Sequence, residues 1–401
     1  MFAVLSSARK SPARKSSLRK WPGRAVVLLS ALWLAACDPG ALGGTGQTIN
    51  TRRPVPVALL VPLGSVDQGN TILAQSLENA ARLAISDLDN VRIDLRVYAT
   101  AGQPGQAAEV AREAVRDGAK IILGPVFADA ANAAGLAVAG RNVNVLAFSN
   151  NTEIAGGNVF VMGNTFQNTA NRLASYSVAE GKSRIMIVHG QDTAEQVGRD
   201  AILTAVGRSG GTLAAISSFE LSQQGLFDAI PAIAEQARAS GAQSIFFTSG
   251  TDGALPLLTQ LLPENGIGSD VAQFIGLRRW DIPASALALP GLQEGWFALP
   301  DPQMTDQFQS RYQDAYGSPP HPIAGLAYDG IAAIGALVDA GQSDALTSNA
   351  LTQNSGFVGV NGVFRLRPDG TNQRGLAIAT IRDNQVIVID PAPRSFGGAG
   401  F

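Results

Sequence analysis

Short apolar runs alternate with apolar positions at helical spacing along most of the chain. Val57-Ala-Leu-Leu-Val61 is a continuous apolar run bounded by Pro62 and Gly64, as expected of a strand buried on both faces of a parallel sheet. Leu73, Leu77, Ala80, Ala81, Ala84 and Leu88 then recur at helical spacing. Val91, Ile93, Leu95 and Val97 alternate with charged residues, the mark of a strand with one wetter face. The pattern next predicts helix over 106–117, strand over 120–123, helix over 128–140 and strand over 144–147. A second series follows Phe160-Val-Met162: helices over 167–180, 194–208, 227–240 and 253–262, interleaved with strands over 184–189, 213–219, 244–247 and 273–275. Helices over 305–316 and 321–340 and a β-rich ending over 359–389 complete the pattern, and 391–401 reads as a frayed tail. The fold class that follows is α/β, with two lobes that are each a doubly wound, mostly parallel sheet.

Ahead of both series, residues 1–24 hold Arg9, Lys10, Arg14, Lys15, Arg19, Lys20 and Arg24 and no acidic residue. The apolar run from Ala25 to Ala36 follows. At about 1.5 Å per residue it reaches roughly 18 Å, against a hydrocarbon core of roughly 30 Å. It therefore reads as the apolar region of a signal peptide (1–36) and not as a permanent span. Leu34-Ala35-Ala36-Cys37 resembles the bacterial lipoprotein signal, in which the cysteine is acylated and becomes the first mature residue. Residues 37–54, rich in glycine and polar side chains, read as a flexible tether. The expected location is periplasmic, lipid-anchored to a bacterial membrane.

Composition narrows the chemistry. The 401 residues are 46% hydrophobic, which is ample for packed cores. The chain has one cysteine, so no internal disulfide can form, and with only His189 and His321 besides no thiolate or imidazole metal cluster is expected. Seven of the 30 basic residues fall in the leader, leaving 23 against 32 acidic ones, a formal charge of −9 for the mature chain. With 6% aromatics this gives no basic stacking face for nucleic acid. No Gly-x-Ser-x-Gly elbow is present, Cys37 sits at the anchor, and the histidines read as structural. Gly64-x4-Gly69-Asn70-Thr71 has P-loop spacing but carries Asn70 where the phosphate-binding lysine is needed. A non-enzymatic protein without cofactor is the expectation.

Ligands of open α/β sheets meet the loops at the carboxyl ends of the strands. Those loops, 62–69, 124–128, 148–152, 190–193, 248–252 and 276–280, are rich in hydroxyls, amides and glycines, groups suited to hydrogen-bonded recognition of a small polar molecule.

Val57-Ala-Leu-Leu-Val-Pro-Leu-Gly-Ser65, Asp117-Gly-Ala-Lys-Ile-Ile-Leu-Gly-Pro125, Val145-Leu-Ala-Phe-Ser149, Tyr316-Gly317 and Ala324-Gly-Leu-Ala-Tyr-Asp-Gly330 resemble, in order and spacing, the type I periplasmic solute-binding proteins. The similarity is to the leucine-binding family of bacterial ABC importers and covers about 55–390. It implies two lobes joined by three crossovers, lobe one being 55–164 plus 293–343 and lobe two 165–292 plus 344–390. It also implies capture of a small polar ligand of the amino-acid-like class between the lobes, for delivery to an ABC permease. If a ligand is bound, Ser65, Phe127, Ser149, Asn150, Asn151, Thr165, Gln191, Asp192 and Thr251 are the residues expected to line the cleft. Three departures from the amino-acid pattern stand out. The turn Pro125-Val-Phe-Ala128 has no hydroxyl, 190–196 lacks an Asp-Tyr-Gly, and Leu277-Arg-Arg-Trp280 stands where an acidic residue is usual. Arginines there repel an ammonium, so Arg278, Arg279 and Trp280 become candidates for contact with an anion or a protein partner. Gly163-Asn-Thr-Phe-Gln167, the Gly-Pro turn and the lipid anchor also resemble the penicillin-binding-protein activators. These lipoproteins stimulate peptidoglycan synthases, and the resemblance implies a vestigial or regulatory cleft as the alternative.

Overall fold

The computed structural model describes residues 44–397; the leader with Cys37, and residues 398–401, lie outside them. The first lobe is built from β1 (Val55–Val61), α1 (Gln68–Ser86), β2 (Ile93–Ala99), α2 (Pro104–Arg116), β3 (Ile121–Leu123), α3 (Ala128–Val138), β4 (Asn144–Ala147) and β5 (Val159–Val161). Its strands form one parallel sheet in the order β2-β1-β3-β4-β5. Val57, Leu59 and Val61 pack into the core on one face, and Ala58 and Leu60 into the core on the other. The continuous apolar run is thus a strand covered by helices on both sides.

After β5 the chain enters the second lobe with α4 (Phe166–Ala179), β6 (Arg184–Gly190), α5 (Thr193–Ser209), β7 (Thr212–Phe219), α6 (Gln223–Ser240), β8 (Ser244–Phe247), α7 (Leu255–Glu264), β9 (Gln273–Gly276) and β10 (Trp296–Leu299). Helices α8 (Pro302–Tyr316), α9 (Gly325–Asp339) and α10 (Ser348–Leu351) follow, then β11 (Phe357–Gly359), β12 (Gly362–Leu366), β13 (Asn372–Arg374), β14 (Ala377–Arg382) and β15 (Gln385–Asp390). The second sheet runs β15-β14-β10-β9-β8-β6-β7, parallel from β7 to β10 and antiparallel at β14 and β15. Among the described residues no helix is long and apolar enough to cross a membrane.

The lobe boundaries differ from the sequence expectation. β10 pairs with β9 and β14, so 293–299 belongs to the second lobe and not the first. The chain returns to the first lobe with α8 and α9, whose Phe308, Ile331 and Ile334 share a core with Val57 and Leu77. It stays there longer than predicted, since Leu351, Phe357, Phe364 and Leu366 join the same core. The second lobe resumes only at β14. The bounds implied by the resemblance therefore misplace the second and third crossovers, and periodicity could not correct them, because a four-residue buried strand reads identically whichever sheet it joins. The three crossovers lie near 162–165, 299–301 and 374–377.

The ends of the folded part are also more ordered in their contacts than composition implies. Residues 44–50, expected within the tether, are seated on the first lobe. Asn142 Nδ2 donates to the Gly46 carbonyl (2.7 Å), Asn144 Nδ2 to the Thr45 carbonyl (3.1 Å) and the Ile49 N–H to the Ser343 carbonyl (2.8 Å). Side-chain amides thus satisfy a backbone that has no sheet partner. In the expected frayed tail, Ala392 is buried and the Phe396 ring lies under the Arg365 guanidinium at 4.6 Å.

Candidate functional site

A cavity of about 560 Å³ lies between the lobes. From the first lobe come Val126, Phe127 and Ala128 after β3, and Phe148, Ser149, Asn150 and Asn151 after β4. Gly124 sets the first of these loops in place: its φ is +81°, and a side chain there would collide with the Leu60 carbonyl. Phe127 stands at the N-cap of α3 without a side-chain cap bond, so an apolar ring replaces the usual hydroxyl at that helix start. The second lobe supplies Arg279, Ile282, Ala298 and Leu376, while Gly163, Asn164, Pro300 and Arg374 line the cavity at the crossovers. Pro322, Ile323, Leu326 and Asn361 complete the wall.

Polar groups in this wall are few and mostly committed. Ser149 Oγ accepts from the Asn151 N–H (3.1 Å), Asn151 Oδ1 from the Glu153 N–H (2.9 Å), and Asn164 Nδ2 donates to Thr169 Oγ1 (3.1 Å). Among the described residues no acidic side chain lines the cavity, but two arginines do. Arg374 is consumed by structure: its NH1 donates to Asp329 Oδ2 (3.0 Å), its Nε to the Met162 carbonyl (2.9 Å), and it lies over the Phe364 ring at 4.9 Å. Burial pushes the Asp329 carboxyl above the ordinary carboxylate range, against the pull of Arg374. Arg279 is different. Its side chain is 37% exposed and pairs with Asp281 through Nε (2.9 Å) and NH2. Among the described residues it is the more exposed of the two cations in the wall, and its exposed edge can reach a ligand while Asp281 holds the other. An ammonium entering this cavity finds no carboxylate among its described lining residues, whereas a carboxylate finds Arg279.

A family model described as periplasmic binding protein matches residues 54–385. The chain belongs to the periplasmic binding protein family. No curated protein matches the sequence. Among solved structures, a putative branched-chain amino acid ABC transporter protein from Rhodospirillum rubrum aligns with a TM-score of 0.72 at 18% identity, covering 84% of this chain and 100% of its own. A substrate-binding protein from Desulfitobacterium hafniense in complex with Leu gives 0.62 at 17%, covering 84% and 100%. A solute-binding protein from Rhodopseudomonas palustris BisB5 in complex with 3,4-dihydroxy benzoic acid gives 0.56 at 16%, covering 86% and 99%. At these identities the likeness establishes the two-lobed type I periplasmic-binding-protein fold.

The cleft of this periplasmic binding protein gathers Phe127, Ser149, Asn150, Asn151 and Arg279. The remaining sequence candidates lie elsewhere. Ser65 accepts from Asn70 Nδ2 (2.9 Å) within the Gly64–Thr71 turn, which Asp67 closes by accepting the Gly69 N–H (2.8 Å). Thr165 is buried as the N-cap of α4, and Asp192 caps α5 by accepting the Ala194 and Glu195 N–H groups. Gln191 is exposed, its Nε2 3.4 Å from Ser218 Oγ, and Thr251 Oγ1 donates to the Ile282 carbonyl (2.6 Å), holding Ile282 at the cleft without reaching it itself. Trp280 cannot contact a partner: it is 0% exposed, stacked on Phe297 at 6.3 Å and enclosed by Gly276 and Gly295, where any side chain would overlap its ring. Arg278 lies 5.6 Å over the Phe166 ring, with its Nε buried and unpaired, and does not line the cavity.

Sequence reasoning missed Leu326 and Arg374, which reach the cleft from a helix and a strand that carry no loop signal, and Asn361, whose Asn-Gly turn between β11 and β12 was the available signal. It also missed Glu195, which is 7% exposed beside the ends of β6 and β8. Asp192-Thr-Ala-Glu195 has the spacing of a capping box, and that pattern was the available signal. Both imidazoles bond to nearby backbone: His189 Nδ1 donates to the Gly190 carbonyl (2.7 Å), and His321 Nδ1 accepts from the Ile323 N–H (3.4 Å).

Proposed function

We propose that this chain is the membrane-tethered, extracytoplasmic solute-binding component of an ABC-type importer of the leucine-binding family. Its ligand is a small molecule with an apolar body and a carboxylate head, held between lobes that close over it. The observation that carries this reading is the wall of the cleft: apolar over most of its extent, without a carboxylate, and with Arg279 as its open cation. The Rhodopseudomonas neighbour, which holds a carboxylic acid that has no ammonium, supports the same chemistry. A formed cavity of about 560 Å³ favours capture over the activator reading, in which the cleft is vestigial. The chain on this account binds and releases; it catalyses nothing.

Native mass spectrometry of the gently purified chain tests the proposal. An adduct of small-molecule mass that is lost on unfolding is expected, and an adduct-free protein that copurifies with a peptidoglycan synthase would replace it by the activator reading. Tethering is assigned to acylation of Cys37, outside the described residues. Cys37→Ala is expected to move the protein from the membrane to the soluble fraction, and an unchanged distribution refutes lipidation there.

A further inference from the structure

In an open parallel sheet, ligands bind where consecutive connections leave a strand in opposite directions. In the second sheet the chain runs from β6 out to β7 and back across to β8, so that crevice lies between the ends of β6 and β8. It is filled from within. Glu195 Oε2 accepts from the Gly190 N–H at the end of β6 and from Thr248 Oγ1 (2.8 Å) just past β8, and Ser249 Oγ donates to Oε1 (2.7 Å) and Oε2 (2.8 Å). Thr248 and Ser249 are 1% and 0% exposed. No cation pairs with this carboxylate among the described residues; neutral donors and the first turn of α5 hold it.

This is not the bond the local sequence prescribes. Three residues after the Asp192 cap, a glutamate ordinarily reaches back to the N–H of the cap residue. Glu195 passes that N–H by and bonds two residues further upstream, across to a neighbouring strand. The cavity between the lobes is correspondingly displaced: none of its lining residues comes from 190–192 or 248–251.

We infer that Gly190, Thr248 and Ser249 form a carboxylate-binding nest at the crevice of the second lobe, and that Glu195 occupies it in cis as a built-in ligand. The nest takes a small monocarboxylate of acetate or formate size when Glu195 is shortened. While Glu195 is in place it removes these three donors from the cleft, so a bound solute cannot place its carboxylate on them. Glu195 is on this account a specificity-determining residue that works by exclusion. The nest exists whatever solute the cleft carries, so this inference can fail while the proposed function stands, and the reverse.

Chemical rescue tests it. The thermal midpoints of the parent chain, Glu195→Ala and Glu195→Gln are measured in sodium acetate and in sodium chloride of equal ionic strength. Acetate is expected to raise the Glu195→Ala midpoint by about 2–4 °C over chloride in a saturable way. The parent, whose nest is full, should show no such difference, nor should Glu195→Gln, whose amide fills the same volume. Adding Thr248→Val and Ser249→Ala to Glu195→Ala should abolish the response. An acetate effect on Glu195→Ala no larger than that of chloride overturns the inference, as does one that survives removal of both hydroxyls. If Glu195→Ala does not fold in chloride, refolding yield replaces the midpoint: recovery in acetate alone supports the nest, and equal recovery or none in both salts refutes it.

Discussion

Arg279 shows how a single side chain sets the character of the cleft. Its pair with Asp281 is only partly in solvent, the two side chains being 37% and 12% exposed, but its guanidinium edge is the exposed positive charge of the wall. Arg279→Gln is expected to weaken ligand binding about 10- to 100-fold, the equivalent of one charge-assisted hydrogen bond. The glutamine can keep a hydrogen bond to Asp281, so stability in urea should fall by about 1 kcal/mol or less; calorimetric titration alongside urea denaturation separates the two effects. At this scale the sequence was informative where a residue follows a buried strand. Phe127, Ser149, Asn150 and Asn151 could be placed because a strand end predicts both position and direction. Arg374 and Glu195 could not, because their partners come from elsewhere in the chain: Asp329 and Met162 for one, Thr248 and Ser249 for the other. In a linear reading each is simply a charge that water would solvate.

At the scale of elements, the helix α1 is tied to α8 and α9 by one carboxylate. Asp87, at its C-cap, bonds Arg311 NH2 (2.5 Å) and the Tyr328 hydroxyl. Burial raises the Asp87 carboxyl, but its bonds to Arg311 and Tyr328 outweigh this and hold it below its ordinary 3.8. Burial together with Asp87 lifts the Tyr328 hydroxyl to about 12. A carboxyl lowered in the folded state contributes stability that is fully present above its unfolded value and is lost as pH falls through the folded one. Asp87→Asn should therefore cost less than about 1 kcal/mol at neutral pH, because Arg311 is half exposed. The gap between parent and variant should shrink as pH falls below 3.8. Urea unfolding of both proteins across the acid range checks this. The existence and type of the elements were legible in their periodicity. Their allocation to lobes was not, because β10 is as apolar as β9 and its partner β14 lies about eighty residues later.

The described residues form two large sheets whose carboxyl edges face one cleft, joined by three short crossovers, with a small antiparallel sheet β11-β12-β13 beside them. Arg374 spans two of them by bonding the Met162 carbonyl, with Asp329 of α9 behind it. This places a buried ion pair at the pivot of any lobe closure, where loss of either partner leaves an uncompensated charge. The two-lobed architecture could be anticipated from tandem series and from short family-like segments. The chemistry of the cleft could be anticipated only in part, through the arginines after β9 and the missing hydroxyl at 125–128. On the proposed reading the cavity receives a carboxylate at Arg279 and has no lining carboxylate to hold an ammonium. Isocaproate and leucine share a branched apolar body and a carboxylate and differ by the α-ammonium alone. Calorimetric titration of the chain with each compares them directly. Isocaproate is expected to bind at least about tenfold more tightly, a difference of about 1.4 kcal/mol; leucine binding as tightly as isocaproate, or more so, would contradict the account.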